Sequence, residues 1–346
     1  MNKRIVYLFL ISLVVISLFG CKSKKEDLPE KEVETIEQNV IVEPEPTENK
    51  EIDEFFAKYV ENAERPVAVM IDNDDKNSRP HAGINDAYLV YEMYVEGNST
   101  RMMALFKGVN TEKIGPVRSS RHYFLDYVME NDAIYTHVGF SPWAQRDIPA
   151  LGINNINGLY GTDSSAFWRE DKYKGDWHST FTSVERIRNL ASKKGYSDTT
   201  DRKNALEYSS KYINLSSENK AENIVLSYAG HYTTGYKFDS EKQVYTKIIN
   251  SEPHKTQKED LVEFKNVLVQ FIQDYPLGDG SARRNIDTTG SGEGYYFTNG
   301  CYEKITWSKD SRNDNTIYKN SNGDVLEINP GKTIINIIPM EKISFE

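Results

Sequence analysis

Glu92 lies in Tyr88-Leu-Val-Tyr-Glu92, where its neighbours are apolar or aromatic. A carboxyl in such company is pushed toward its protonated form and becomes a candidate general acid. If Gly97-Asn98 closes a two-residue hairpin loop, Glu92 stands opposite Met103 and Tyr94 opposite Arg101. Alternation then gathers Glu92, Tyr94, Glu96 and Arg101 on one face. The structural alternative is a cross-strand ion pair between Arg101 and Glu92 or Glu96. A second cluster is Lys113-Ile-Gly-Pro-Val-Arg-Ser-Ser-Arg121. Its Gly-Pro forces a loop, and Ser119 or Ser120 is placed to cap a helix running to about Glu130. Unpaired N–H groups at that helix start, with Arg118 and Arg121 beside them, form a candidate anion site; the alternative is pairing with a carboxylate of the protein itself.

Asp72 and His137 each end an expected strand, and His178 lies in a polar loop ahead of a capped helix. Ligands of open α/β sheets gather beyond the carboxyl ends of strands, which makes all three candidates for catalysis or binding. No metal or cofactor is expected. Asp72-Asn-Asp-Asp75 opens like a calcium loop, but Lys76 and Asn77 break that pattern. HExxH, CxxC and GxSxG motifs do not occur, which leaves zinc peptidase and serine hydrolase chemistry without support.

The elements that must position these groups alternate between strand and helix over residues 65–200. Pro66 to Ile71 is a continuous apolar run, as in a strand buried on both faces. Tyr88 to Glu96 and Thr100 to Val109 form the hairpin, and Ala133 to Val138 another strand. Ser141-Pro142 starts a helix, and Thr182-Ser-Val-Glu185 reads as a capping box. Residues 197–221 are polar and mark a boundary. From Glu222 the pattern is short strands: Val225 to Tyr228, Val244 to Ile249, Asn266 to Asp274, Gly294 to Thr298, Glu303 to Ser308, Val325 to Ile328 and Thr333 to Ile338. The expected fold is a mixed α/β N-terminal domain (65–200) followed by a mostly β C-terminal domain (221–346).

Ahead of both lies an address. Lys3 and Arg4 precede the apolar run Ile5 to Phe19, which ends at Gly20-Cys21. That run is too short for a comfortable transmembrane helix and has the make-up of a secretory signal over residues 1–20. Cys21 after a small residue resembles a lipobox, with Cys21 lipidated. Residues 21–64 are acidic and centred on Glu43-Pro-Glu-Pro46, and up to about Lys50 they read as a disordered tether spanning roughly 30 Å. Loss of Lys3 and Arg4 with the signal moves the formal charge from −10 to −12, a poor surface for nucleic acid. Cys301 then has no cysteine to pair with, so the cores must hold the fold, and Cys301 reads as structural.

Several motifs together resemble the YerB family of Gram-positive lipoproteins, built on a two-part domain of unknown function. In the first half they are Arg65-Pro-Val-Ala-Val-Met-Ile71, Val90-Tyr-Glu92, Thr100-Arg101, Lys113-Ile-Gly-Pro-Val-Arg-Ser119, Asp132-Ala-Ile-Tyr135 and Phe167-Trp-Arg169. In the second they are Asn266-Val-Leu-Val-Gln-Phe271, Asp287 with Gly290-Ser-Gly292, Ile305-Thr-Trp-Ser-Lys309 and Asn329-Pro-Gly-Lys-Thr333. The resemblance runs from about residue 65 to the end and implies the two-part architecture and the lipid anchor, but no reaction. Glu92, Arg101, Arg118, Arg121 and His137 fall inside its motifs, and His178 near one. Asn98 stands where a glycine is usual, Trp177 where a proline often precedes the histidine, and Pro253-His254 lacks the usual acidic residue after it.

Two functions fit an anchored protein on the extracytoplasmic face of the cell membrane. One is an enzyme on cell-wall glycan, of lytic transglycosylase or glycoside hydrolase type. In it Glu92 is the acid, His137 or His178 assists, and Asp72, Arg101, Arg118 and Arg121 hold the substrate. The other is a non-catalytic binding or scaffold lipoprotein recognising wall polymer or another envelope protein.

Overall fold

The computed structural model describes residues 49–74, 76–170, 178–229 and 232–346. The signal segment, Cys21 and nearly all of the acidic tether lie outside the described residues. Among those described, no helix is long and apolar enough to cross a membrane.

One sheet runs through both halves of the chain. From the N-terminal half come β1 (Val67–Asn73), β2 (Leu89–Tyr94), β3 (Thr100–Phe106), β4 (Ile134–His137) and β5 (Asn155–Asn157). The C-terminal half gives β6 (Asn223–Ala229), β7 (Tyr232–Asp239), β8 (Val244–Ile249), β9 (Asn266–Phe271), β10 (Gly290–Thr298), β11 (Cys301–Lys309), β12 (Ile317–Lys319), β13 (Thr333–Ile338) and β14 (Ile343–Phe345). The large sheet has the order β12-β11-β10-β9-β13-β2-β3-β1-β4-β5. Its central strand, β13, is buried along its whole length and pairs parallel with both β2 and β9. The nearly continuous apolar run Thr333-Ile-Ile-Asn-Ile-Ile338 suits a strand covered on both faces, its one buried amide, Asn336, being hydrogen-bonded. The N-terminal half is mixed α/β and the C-terminal half mostly β, as the pattern of the sequence indicates.

The second sheet, of β6, β7 and β8 with β14 at its edge, covers one face of the large sheet. Tyr94 and Tyr228 meet there with ring centroids 5.0 Å apart, and the Tyr236 hydroxyl donates to Asn336 Oδ1 at 2.9 Å. The helix Phe124–Glu130 lies on the opposite face. Tyr91 packs on Tyr127 and donates to Glu130 Oε1 at 2.7 Å, while Lys309 donates to Glu130 Oε2 at 2.8 Å. One helix is thereby tied to both halves of the sheet.

Three local expectations change. The hairpin loop is Glu96-Gly97-Asn98, with Gly97 at φ +60°, and Val95 N–H donates to Ser99 O. One extra loop residue slips the register, so Glu92 stands opposite Met102 and Met93 opposite Arg101. A slip of one exchanges faces, and Arg101 therefore points away from Glu92. The helix expected from Ser119 begins only at Phe124, and residues 117–121 instead run extended beside Val138 to Ser141. Ser183, one residue later than the expected cap, receives Arg186 N–H at 3.2 Å and opens Val184–Lys193.

Candidate functional site

Asp72 is the second-last residue of β1, and its side chain has no exposure. Its Oδ2 accepts from His178 Nδ1 at 2.6 Å and lies 2.9 Å from Arg118 Nε. Burial pushes the Asp72 carboxyl up, but the His178 hydrogen bond and the charges of Arg118 and Arg101 outweigh it. The group is held below the ordinary carboxylate range and stays ionised.

Backbone pairing explains how residues far apart in sequence meet here. Arg118 N–H donates to Met70 O and Asp72 N–H to Pro116 O, fastening the Gly115–Arg118 segment along β1. Ile114 and Val117 N–H groups donate to Thr182 O and Thr180 O, which brings in the strand that follows His178. Gly115 permits this approach: at φ +147°, a Cβ there would sit 2.8 Å from Phe181 Cδ1 and 3.0 Å from Thr180 O.

A second charged group adjoins the first. Arg101 faces Asp72 across the β1–β3 ladder, donates to Ser119 O at 2.6 Å and lies 3.7 Å from Glu96 Oε2. Burial and the nearby charge of Arg121 push the Arg101 guanidinium down to about 10. Arg121 grips Glu96 with two bonds, 2.5 Å to Oε1 and 2.6 Å to Oε2, in the fork geometry that makes such pairs strong. The anion beside Arg121 is thus Glu96. The expected helix start is not there to supply backbone donors, since Arg118 and Ser120 N–H groups are spent on Met70 O and Gly139 O.

The other sequence candidates lie apart from this centre. His137 ends β4 and donates through Nδ1 to Gly139 O at 2.7 Å, with the Asn155 side chain beside the ring. Burial pushes this imidazole down to about 4, so it is neutral at physiological pH. Glu92 lies on the opposite face of the sheet, shut off from solvent. Its Oε2 accepts from Lys247 Nζ at 2.7 Å. Its Oε1 accepts from Tyr232 OH at 2.8 Å, Thr100 Oγ1 at 2.9 Å and Asn73 Nδ2 at 3.1 Å. A carboxylate so enclosed, with a buried ammonium against it, is placed as a fastener between the two sheets.

Sequence reasoning missed Lys247, although the alternation Tyr245, Lys247, Ile249 put it on the inward face of its strand. It also missed a buried histidine pair. His254 Nε2 meets His81 Nδ1 at 3.0 Å, and His81 Nε2 donates to Asp72 O at 2.6 Å. Since that carbonyl can only accept, the proton order is fixed: His81 holds its hydrogen on Nε2, and His254 supplies the one between the rings.

Models of the Protein of unknown function (DUF3048) N-terminal domain and C-terminal domain match residues 57–197 and 224–335. The chain is 32% identical over 282 residues to the Bacillus subtilis (strain 168) protein named "Putative lipoprotein YerB", covering 80% of this chain and 81% of that one. This chain belongs to the DUF3048 family. The crystal structure of YerB protein from Bacillus subtilis is similar in fold, with a TM-score of 0.72 at 28% identity, covering 82% of this chain and 94% of that one. The boundary between the two DUF3048 models falls in the polar stretch before β6, yet β13 from the second joins β2 of the first in one sheet.

Proposed function

We propose that the protein is a lipid-anchored extracytoplasmic enzyme acting on cell-wall glycan, with His178 as its proton-transfer group. The observation that carries this reading is the 2.6 Å bond from His178 Nδ1 to an Asp72 carboxylate held ionised by arginines. Fixing Nδ1–H in this way orients the ring and stabilises the imidazolium formed when Nε2 takes a proton. Protonation of a glycosidic oxygen by that imidazolium and return of a substrate hydroxyl proton to it would complete a transglycosylation without a second carboxylate. Arg118 is the most open of the three arginines, with 19% of its side chain exposed against 7% for Arg101 and 11% for Arg121. In this reading it is the group that holds a carboxylate of the substrate.

The test is incubation of the purified full chain with peptidoglycan and mass spectrometry of the released products. Wild type should cleave glycan strands, and His178→Ala should lose about 10²–10⁴-fold in rate while remaining folded at the assay temperature. Intact strands with wild type, or unchanged turnover by the variant, overturns the enzyme reading.

A second reading, a binding lipoprotein without chemistry, is favoured by the internal pairing of Arg121 with Glu96 and of Arg118 with Asp72. In that case retention on wall material falls in Arg118→Ala, and the sacculus stays chemically unchanged with wild type.

A further inference from the structure

The motif Asn329-Pro-Gly-Lys-Thr333 takes no part in the site above, and it leads into a different cavity of about 700 Å³. Lys265 and Lys332 both line that cavity. Their backbones are bonded directly, Lys265 N–H to Lys332 O at 2.8 Å. Gly331 makes the approach feasible: its φ is +147°, and a Cβ there would lie 2.5 Å from Lys265 Cβ.

Both ammonium groups rest on neutral partners. Lys265 Nζ donates to Asn299 Oδ1 at 2.5 Å and Gln243 O at 3.0 Å, and it lies over the Tyr212 ring. Lys332 Nζ donates to Asn85 Oδ1 at 3.2 Å and lies over Phe264. Among the described residues, neither has a carboxylate at ion-pair distance; Glu51, Asp86 and Glu263 act on them only from farther away. The third lysine of the cavity, Lys242, is already matched by Glu263 at 2.8 Å. Burial pushes the Lys332 ammonium down to about 8 and lowers Lys265 as well. Each ammonium is thus partly desolvated with no carboxylate in direct contact, and Glu51 and Glu263 on the cavity wall compensate them only from a distance, an arrangement that a bound anion relieves.

We propose that the Lys265–Lys332 cavity is a binding site for a phosphate ester, with glycerol phosphate as its simplest form. Lysine ammoniums are compact point charges, each with three donors, and bind a phosphate group without needing the planar fork by which arginine holds carboxylates and phosphates alike. Exposed Tyr212 gives the rim an aromatic face beside the charge. This site is independent of the Asp72–His178 centre, and its test does not involve glycan cleavage.

The experiment is lysine footprinting of the full chain in nonionic micelles at fixed ionic strength. An amine-acylating reagent is used and read by mass spectrometry. One arm adds glycerol phosphate, another inorganic phosphate, and a third places phosphatidylglycerol in the micelles. Acylation of Lys265 and Lys332 should fall at least about fivefold in one or more arms, as expected for charge-assisted contacts, with Lys242 and Lys255 unchanged. Protection confined to the lipid arm identifies a headgroup as the source, and protection by the soluble esters a free ligand. Equal acylation of both lysines in all arms overturns the proposal. As a second measurement, Lys265→Gln with Lys332→Gln should weaken glycerol phosphate binding at least about tenfold. Retained affinity in a folded double variant also overturns it.

Discussion

Glu92 and Lys247 meet at 2.7 Å with neither side chain exposed, although 155 positions separate them in the chain. The pair ties β2 of the large sheet to β8 of the second, and each partner's remaining capacity is filled. Lys247 also donates to Thr234 Oγ1 and to the Tyr236 hydroxyl. Such a pair contributes less as attraction than it costs to break, because a lone buried charge remains.

Glu92→Gln should therefore lose about 3–5 kcal/mol of stability, by leaving Lys247 unmatched. Replacing both, Glu92→Met with Lys247→Met, should recover most of that loss. Urea denaturation of the two single variants and the double variant checks this. A Glu92→Gln protein as stable as wild type would return Glu92 to the list of candidate acids.

Asp72→Asn removes the charge that holds His178 Nδ1–H and faces Arg118 and Arg101. If His178 is the proton carrier, this change should lower turnover by about 10²-fold or more and shift the pH–rate profile to lower pH. A steady-state pH series on glycan substrate reads both effects; a profile that keeps its position would show that Asp72 serves structure only.

Acid should unfold the protein progressively below about pH 6.5. Burial lowers His137 to about 4 and His81 to about 3, so between these values and 6.5 the unfolded chain binds protons that the native state refuses. Stability then rises with pH across that window, by about 1.4 kcal/mol per unit for each such histidine, and is fully present above it. Asp72 acts in the same sense lower down: its contribution exists above the unfolded carboxylate pKa and fades as pH falls through its own depressed value. Urea midpoints at pH 7.5, 6 and 5 should fall in order, and His137→Gln should flatten the trend.

Gly115→Ala forces a side chain into a left-handed backbone position, against Phe181 and the Thr180 carbonyl. A cost of about 1–3 kcal/mol is expected, together with displacement of Arg118 from Asp72. Thermal melts give the first, and, if the protein is a wall-polymer binder, retention on wall material compared with that of Arg118→Ala gives the second.

Much of the fold was legible because burial on both faces leaves a plain mark. Thr333–Ile338 has the limits read from its apolar run, and β1 differs by two residues at its end. β7 escaped notice: Tyr232–Asp239 is half polar and broken by Gly235, whose missing Cβ lets Ile224 O approach. At the site, Asp72, Arg118 and His178 were named separately, and nothing in local spacing says that they touch. Their meeting depends on pairing between distant segments. The error over Arg101 came from a single loop residue, because period-two geometry turns a one-place slip into a change of face.

The slot filled by β13 has a consequence for how the molecule comes into being. Residues 333–338 are synthesised after both β2 and β9, yet they separate those two strands at the centre of the sheet. Until they arrive, both strands present open rows of N–H and C=O groups, the template on which chains aggregate. The sheet consequently cannot close before Thr333–Ile338 has been made, and a stop codon shortly before Thr333 would yield a sticky, incomplete sheet in place of a shorter working protein.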